Sequence, residues 1–321
     1  MKKWCEHCRR TVWPKHPCDN DWTQIDNIHQ YVLIFNGRAN YVGTDLWIKH
    51  TLEPLRTANK PVHVIFVHYA TDSVDKHMTS VNGFGDMQVS AELLAQQRPK
   101  FRMGAWQDFV GKHFRWAQST ETILVDSVEQ KLNSLAPGGW KNQYLSLANA
   151  YAVKPRSFHW RDNTAVLRMR WDGYIRFEPW EQCDNFWDYL SLHLRKWEIY
   201  NKLYNFAPHF PPMRRTVIGQ QQLWNEGYLN QGQIFSHDMA HGFDGSGLRY
   251  MCENFDAWNQ LQPEYQWPEM FINNFFIENK YDISRGISGG VLRDLDDPTN
   301  RDNSMRAMGD DYRLRWYTYF S

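Results

Sequence analysis

The stretch Tyr31-Val-Leu-Ile-Phe35, closed by Asn36-Gly37, decides how the first half of the chain is expected to fold. A short apolar run of β-branched and aromatic residues that ends in a turn signal is typical of a buried strand. Val62–Tyr69 is a second run of this kind, and Thr44-Asp45 between the two can cap a helix over Leu46–Thr57. Strand, helix and strand in this order predict a parallel βαβ unit.

The same pattern continues for about one third of the chain and then changes. A third apolar run, Thr122–Val125, is followed by a candidate helix over Val128–Leu135. Pro137-Gly138-Gly139 is the strongest candidate for a domain boundary. We therefore divide the chain into a Cys/His-rich cap (1–21), an α/β segment (22–136) and an aromatic-rich, mainly helical region (140–321).

The clearest local signal of the third region is Asp172-Gly173, which lies between two alternating segments. An Asp-Gly pair in this setting predicts a β-hairpin over 166–177, with Val166, Arg168 and Arg170 on one face of its first strand. Asn185–Asn205 reads as an amphipathic helix. The expected fold class is mixed, α+β or α/β: a zinc cap, a βαβ-like segment and a mainly helical region with one hairpin.

The composition excludes several classes of protein. The 321 residues carry 36 Lys+Arg and 36 Asp+Glu, with 42% hydrophobic residues, 16% aromatic residues and a mean hydropathy of -0.68. Such a chain is too apolar to be disordered and too neutral to hold nucleic acid by bulk charge. No apolar run is long enough to span a membrane, and no secretory signal follows Lys2 and Lys3. We expect a cytoplasmic location, either host cytoplasm or virion for a viral protein, and an aromatic pocket wall or interface in the C-terminal half.

The N-terminal cap contains candidate metal ligands, namely Cys5, Cys8, His16 and Cys18. A Cys-x-x-Cys hook lets two thiolates grip one tetrahedral zinc ion, and soft sulfur ligands favour zinc over magnesium or calcium. With four protein ligands the site is expected to be structural. A reduced, metal-free thiol cluster or a redox pair remains the alternative.

A second constellation is His237-Asp238-Met239-Ala240-His241-Gly242-Phe243-Asp244. On a helix, His237 and His241 face the same way and can chelate one divalent metal of unknown identity. Asp238 and Glu278 are the candidate catalytic carboxylates, and Asp282 is a further candidate ligand. The alternative is a pair of histidines on a polar helix face without metal.

This string resembles the metal-binding helix of HD-domain phosphohydrolases. The resemblance implies that His193 and Asp282 fill the outer ligand positions around a metal that activates water. The string also resembles the zinc helix of neprilysin-like metallopeptidases, and Glu278-Asn279-Lys280-Tyr281-Asp282 echoes a later segment of that family. Asp238 stands where that family has a glutamate as general base.

A third signal is Gly83-Phe84-Gly85, which opens a candidate helix. It resembles a helix-hairpin-helix element, in which backbone amides hold a phosphate of DNA. In a DNA glycosylase-like fold, Asp108 is the matching candidate carboxylate.

Three functions remain open from the sequence. The first is a metal-dependent hydrolase built on His237, Asp238 and His241. The second is a nucleic-acid-processing or base-modifying protein that uses the glycine turn and aromatic stacking. The third is a virion structural or assembly protein. The substrate is expected to be a small molecule, a nucleotide or a nucleic acid, and the sequence leaves the oligomeric state open.

Overall fold

The computed structural model of the chain describes residues 3–5, 10–12, 28–36, 47–69, 103–125, 147–148, 150–152, 160–161, 163–171, 173–177, 183–204, 216–221, 236–261, 275–276, 278–279, 281–287 and 289–291. Within these ranges a seven-stranded mixed sheet forms the centre of the fold. Helices pack on both faces of this sheet, so the part of the chain that is described has an α/β architecture.

The described strands occur in the following order along the chain: β1 (Lys3–Cys5), β2 (Arg10–Val12), β3 (Gln30–Asn36), β4 (Val62–Tyr69), β5 (Ser119–Val125), β6 (Thr164–Arg170), β7 (Gly173–Ile175), β8 (Thr216–Gln221), β9 (Ser236–Asp244), β10 (Asp282–Ile287) and β11 (Gly289–Val291). The central sheet has the order β10-β8-β9-β6-β3-β4-β5. Two small antiparallel pairs, β1 with β2 and β7 with β11, accompany it.

Strand direction divides the sheet into two halves. In the first half β3, β4, β5 and β6 are parallel, and β3 lies between β4 and β6. In the second half β9 runs antiparallel to both β6 and β8, whereas β10 is parallel to β8. We call the edge at which the parallel strands end the carboxyl edge, and the edge at which they begin the amino edge.

The described helices are a π-helical turn Ile48–Leu52 that continues into α1 (Glu53–Arg56), then α2 (Met103–His113), α3 (Phe186–Tyr204) and α4 (Gly245–Leu261). The first three pack on one face of the sheet, and α4 packs on the other face. This layering explains why β3 and β4 read as continuous apolar runs, since strands of a parallel sheet are covered on both faces. The predicted βαβ unit is confirmed.

Aromatic rings dominate the core on the face of the sheet that α2 covers. Phe35, Phe66 and Trp171 lie nearly parallel, with ring centroids 4.8 to 6.1 Å apart. Trp47 and Phe114 pack around them and are fully buried or nearly so. In the described residues these rings are therefore core packing that joins both halves of the sequence, rather than a pocket wall confined to the C-terminal half.

The predicted hairpin over 166–177 is wrong. The first strand lies where it was expected, and its two faces are as predicted, because Leu167, Met169 and Trp171 pack in one core and Val166 in the other. However, β6 pairs with β3 and β9, and β7 pairs with β11. The carbonyl of Gly173 accepts a hydrogen bond from Thr51 instead of closing a two-residue turn.

The mainly helical character predicted for 140–321 is not confirmed, because the described part of that region contributes strands β6 to β11 as well as α3 and α4. The helix predicted over Asn185–Asn205 is present as α3. The division into three segments stays a prediction, although strands from both sides of Pro137-Gly138-Gly139 share one sheet.

Candidate functional site

The carboxyl ends of the parallel strands β3 and β6 are the place in the described sheet where a ligand crevice is expected. From β3, the chain reaches β4 on one side and later β6 on the other, so the strand order reverses between β3 and β6. In open α/β sheets, ligands bind outside the carboxyl ends of the strands at such a switch point. The residues at the ends of these two strands are Asn36 and Arg170, which are in register with each other.

The π-helical turn closes over this position. Thr51 is fully buried, and its hydroxyl donates a 2.7 Å hydrogen bond to the carbonyl of Gly173, just beyond the end of β6. Trp171, two residues before Gly173, is fully buried as well and packs against Trp47, the residue before the π-helical turn. Single π-helical turns occur frequently at functional sites. The segment after β6 is thus tied to the segment after β3 on the carboxyl edge.

A buried polar pair lies directly at the switch point. The Nε of Arg168 donates a 2.7 Å hydrogen bond to the Oδ1 of Asn36, and both side chains are fully buried. Arg168 also lies in register with His241 of β9, whose ring is buried and stacks on Phe243. Near the carboxyl edge, three neighbouring strands, β3, β6 and β9, therefore each carry a buried polar side chain.

His50 adds a titratable group beside Gly173. Its ring is half-buried and meets the ring of Tyr174 edge-on, with centroids 6.4 Å apart. Burial lowers the pKa of His50, as does the positive charge of Lys49, whereas Glu53 opposes them. A lowered pKa keeps the imidazole neutral at neutral pH, so the side chain can accept a proton.

The structure overturns the predicted metal helix. Residues 236–244 form strand β9, which pairs with β6 from Ala240 to Asp244 and with β8 on either side of a register shift between His237 and His241. The predicted metal helix is therefore wrong, because this segment is a strand and the two histidines do not lie on successive turns of a helix. The backbone of His237 and Asp238 lies at the carboxyl edge, because Ala240 is in register with Met169 of β6.

The other members of that predicted site lie elsewhere. Asp282 begins β10, in register with Thr216 at the amino edge, and Glu278 is exposed in a short helical turn nearby. Asp244 caps α4, because its Oδ1 accepts hydrogen bonds from the backbone of Gly247 (2.6 Å) and the hydroxyl of Ser246 (3.0 Å). His193, on α3, is buried beside the ring of Tyr189.

No group of three or more potential metal ligands comes together among the residues that the structure describes. Cys5 lies in β1, while Cys8, His16 and Cys18 fall outside the described residues, so the predicted zinc site has no support and we do not carry it forward. Gly83, Phe84 and Gly85 also fall outside them. Asp108 is exposed on α2. The two remaining cysteines fit the packing role that their aromatic surroundings predict: Cys183 is buried, and burial raises the pKa of Cys252 to about 12.

The residues of the switch point were missed from the sequence. Asn36 was taken only as part of a turn signal, and Arg168 only as one face of a hairpin. The sequence nevertheless contains a signal that could have identified Arg168. Arg168 is a charged residue inside Thr164–Arg170, whose neighbours Ala165, Val166, Leu167 and Met169 are apolar, and such a residue in a strand that is covered on both faces needs an explanation.

Comparisons with known proteins give structural similarity only. No protein-family model and no curated protein matches the chain. Its fold is similar to that of the galactosyltransferase LgtC in complex with donor and acceptor sugar analogues, with 11% identity, 79% of this chain and 72% of that chain covered, and a TM-score of 0.38. It is also similar to a protein from Desulfovibrio desulfuricans G20, provisionally described as a nucleotide-diphospho-sugar transferase, with 13% identity, 90% and 97% covered, and a TM-score of 0.30.

The functions predicted from the sequence are corrected accordingly. The metal-dependent hydrolase is wrong because its metal helix is a strand whose proposed ligands lie at opposite edges of the sheet. Among the described residues, no observation supports a DNA-modifying glycosylase or a non-catalytic virion protein: the glycine turn falls outside them, and Asp108 is exposed. In the described ranges, no helix is both long and apolar enough to cross a membrane. The cytoplasmic location stays a prediction.

Proposed function

We propose that this chain is a transferase that binds a nucleotide-linked sugar in the crevice at the carboxyl ends of β3 and β6. One observation carries the proposal: the first four strands of the sheet have the spatial order β5-β4-β3-β6, all parallel, with the reversal between β3 and β6. This is the order of a mononucleotide-binding half followed by its switch point in doubly wound folds.

The second half of the sheet favours one nucleotide over a dinucleotide. A dinucleotide occupies two parallel mononucleotide-binding halves, but here the antiparallel β9 separates β6 from β8. The sequence also has no Gly-x-Gly-x-x-Gly after a strand. A single nucleotide site next to a half-sheet of different topology suits a transferase. Such an enzyme binds an activated donor at the nucleotide site and a second substrate beside the other half of the sheet.

The reaction class follows from that pairing. A hydroxyl of the second substrate attacks the sugar carbon that is bonded to the diphosphate, a new C–O bond forms, and the old C–O bond breaks with its electron pair on the nucleoside diphosphate. The hydroxyl proton must pass to a base. The neutral imidazole of His50, beside Gly173 and Tyr174, is a described side chain that can receive it.

The sheet order supports the nucleotide part of the proposal. The linked sugar is suggested by the two similar structures, which are described as sugar transferases, so nucleotide-linked sugars come first in the order of ligands to be tried. The nucleotide, the sugar and the second substrate are left to experiment.

Calorimetric titration of the full chain with UDP, GDP, ADP and CDP, each with and without magnesium or manganese, tests the proposal. We expect one of them to bind and to raise the melting temperature, since a ligand at one hundred times its Kd stabilises the folded state by about 2.7 kcal/mol. The matching nucleotide-linked sugar should then release free nucleoside diphosphate slowly in water. Binding of NAD in preference to all four diphosphates, or of none of these compounds, would contradict the proposal.

A further inference from the structure

The face of the sheet that packs against α4 is apolar except near its ends. The buried side chains of its middle are Val32, Ile34, Ile65, Val67, Val166 and Phe243. Arg168 and Asn36 interrupt this surface at the carboxyl edge, and both are fully buried. A buried arginine has a large desolvation penalty, and an apolar residue of similar volume often stabilises a fold equally well. The pair therefore calls for a role other than stability.

The chemistry of arginine fixes the orientation of the asparagine. Arginine carries only donors, so the Asn36 atom 2.7 Å from its Nε must be the carbonyl oxygen. The amide nitrogen of Asn36 then points away from Arg168. One hydrogen bond thus sets both the position and the direction of the last side chain of β3.

The hydrogen bond between Arg168 and Asn36 connects the two strands at which the nucleotide is proposed to bind. It joins β6 to β3 across 132 residues of sequence, within the last three registered residue pairs of the two strands. We propose that Arg168 is a positioning residue for the nucleotide site: by holding Asn36 it fixes the carboxyl ends of β3 and β6 relative to each other before the nucleotide binds. This inference depends on the function proposed above and specifies how its site is preorganised.

The same face of the sheet provides a matched control. At the amino edge, the Nδ1 of His63 and the Oγ of Ser119 are also 2.7 Å apart and join neighbouring strands, β4 and β5. This second pair is similar in length and also links two parallel strands, but it lies at the end of the sheet away from the switch point. If both pairs had only a structural role, removing either pair should have the same effect on nucleotide binding.

The experiment compares Arg168→Met, Asn36→Asp and Ser119→Ala in the full chain. UDP, GDP, ADP and CDP are titrated separately into each variant, and amide hydrogen exchange is followed at the ends of β3 and β6. Methionine fills much of the arginine volume without a donor, whereas aspartate keeps an oxygen that accepts from Arg168. Asn36→Asp also keeps the test open if Arg168→Met does not fold.

We expect Arg168→Met to weaken nucleotide binding about tenfold and to speed exchange at the ends of both strands, because small misplacements of a binding group are costly. Asn36→Asp keeps an acceptor for Arg168, so hydrogen exchange at the ends of β3 and β6 should stay as in the parent, and Ser119→Ala should leave both nucleotide binding and this exchange unchanged. Equal binding by Arg168→Met and the parent, or equally fast exchange in Arg168→Met and Asn36→Asp, would overturn the assignment and leave the proposed function standing.

Failure of the parent chain to bind any of the four nucleotides would remove the proposed function instead. Hydrogen exchange still decides in that case whether Arg168 fixes the ends of β3 and β6 relative to each other. Faster exchange at the ends of β3 and β6 in Arg168→Met, with no change there in Ser119→Ala, supports it. Unchanged exchange in Arg168→Met overturns it.

Discussion

The two edges of the sheet use polar side chains in different ways. At the amino edge the hydroxyl of Tyr31 donates to Asn59 and Asp188, and Asp244 caps the helix that follows it. The Asp244 contact begins a helix, as hydrogen bonds at helix ends ordinarily do, and the Tyr31–Asp188 contact joins β3 to α3 across 157 residues but is only partly buried. At the carboxyl edge the bonds Arg168–Asn36 and Thr51–Gly173 also join distant segments, 132 and 122 residues apart, and both are buried.

From this difference we expect substitutions at the two edges to differ in their effect on ligand binding. Changes at the amino edge should lower the free energy of unfolding and leave the ligand site intact, since the switch point lies at the other end of the strands. Changes at the carboxyl edge should affect ligand binding as well as stability, because they alter the relative placement of two strand ends.

The largest expected effect is at Gly245, the first residue of α4. A side chain there would collide with the carbonyl oxygen of Arg161, which is backbone and cannot move aside easily. We expect Gly245→Ala to lower the free energy of unfolding by about 3 kcal/mol, measured by urea denaturation. Gly111→Ala is the control: nothing lies within 4 Å of its Cβ position in α2, and the change should stabilise the protein by up to about 1 kcal/mol.

Asp188 tests the polar network at the amino edge. Its Oδ1 accepts from Asn59 (2.9 Å) and from Tyr31 (3.3 Å), and its Oδ2 accepts from Asn185 (2.7 Å). Replacement by alanine leaves several partly buried donors without this acceptor, so a loss of about 2 kcal/mol is expected in chemical unfolding. Asp188→Asn keeps one acceptor oxygen and should lose less. An accompanying loss of nucleotide binding in Asp188→Ala would refute the separation of the two edges.

Thr51 tests the carboxyl edge, where a substitution is expected to lower nucleotide affinity in addition to stability. Thr51→Val keeps the shape of the side chain but removes the donor to the buried carbonyl of Gly173, which should lower stability by about 1 to 2 kcal/mol. We expect a severalfold loss of nucleotide affinity in calorimetry as well, while Thr51→Ser should retain both properties. Unchanged affinity in Thr51→Val would show that the turn over the switch point does not shape the site.

The smallest effect concerns pH and His63. Burial lowers the pKa of His63, so the unfolded chain takes up its proton more readily than the folded chain. The contribution of this group to stability is therefore present above the unfolded pKa of about 6.5 and declines as the pH falls through that value toward the folded pKa. His63→Gln should weaken the pH dependence of the melting temperature between about pH 7 and pH 5. An unaltered pH profile would contradict this.

The sequence predicted part of the fold correctly, for reasons that are local. Tyr31–Phe35, Val62–Tyr69 and Thr122–Val125 were assigned as strands because buried parallel strands are continuous apolar runs. The helix over Asn185–Asn205 had its own amphipathic period. The two faces of β6 also followed from simple alternation.

Two local motifs pointed to the wrong structure because partners distant in sequence overrode them. His237 to His241 has the spacing of a helical metal site, but β6 and β8 pair with this segment on both sides and make it a strand. Gly242, within the same string, is the place where β9 comes close to α3, since a Cβ there would lie 2.6 Å from Leu190. Asp172-Gly173 has a hairpin signature, but β11 rather than β6 pairs with the strand after it.

The amino-acid sequence by itself determined which segments are buried and which period they follow, because burial and period are properties of neighbouring residues. Only the tertiary structure decided which strands are neighbours, where their order reverses, and that Asn36 and Arg168 meet at that reversal. The physical reason is that strand pairing is a long-range choice, made by packing and hydrogen bonding between segments more than a hundred residues apart, and no local pattern encodes it.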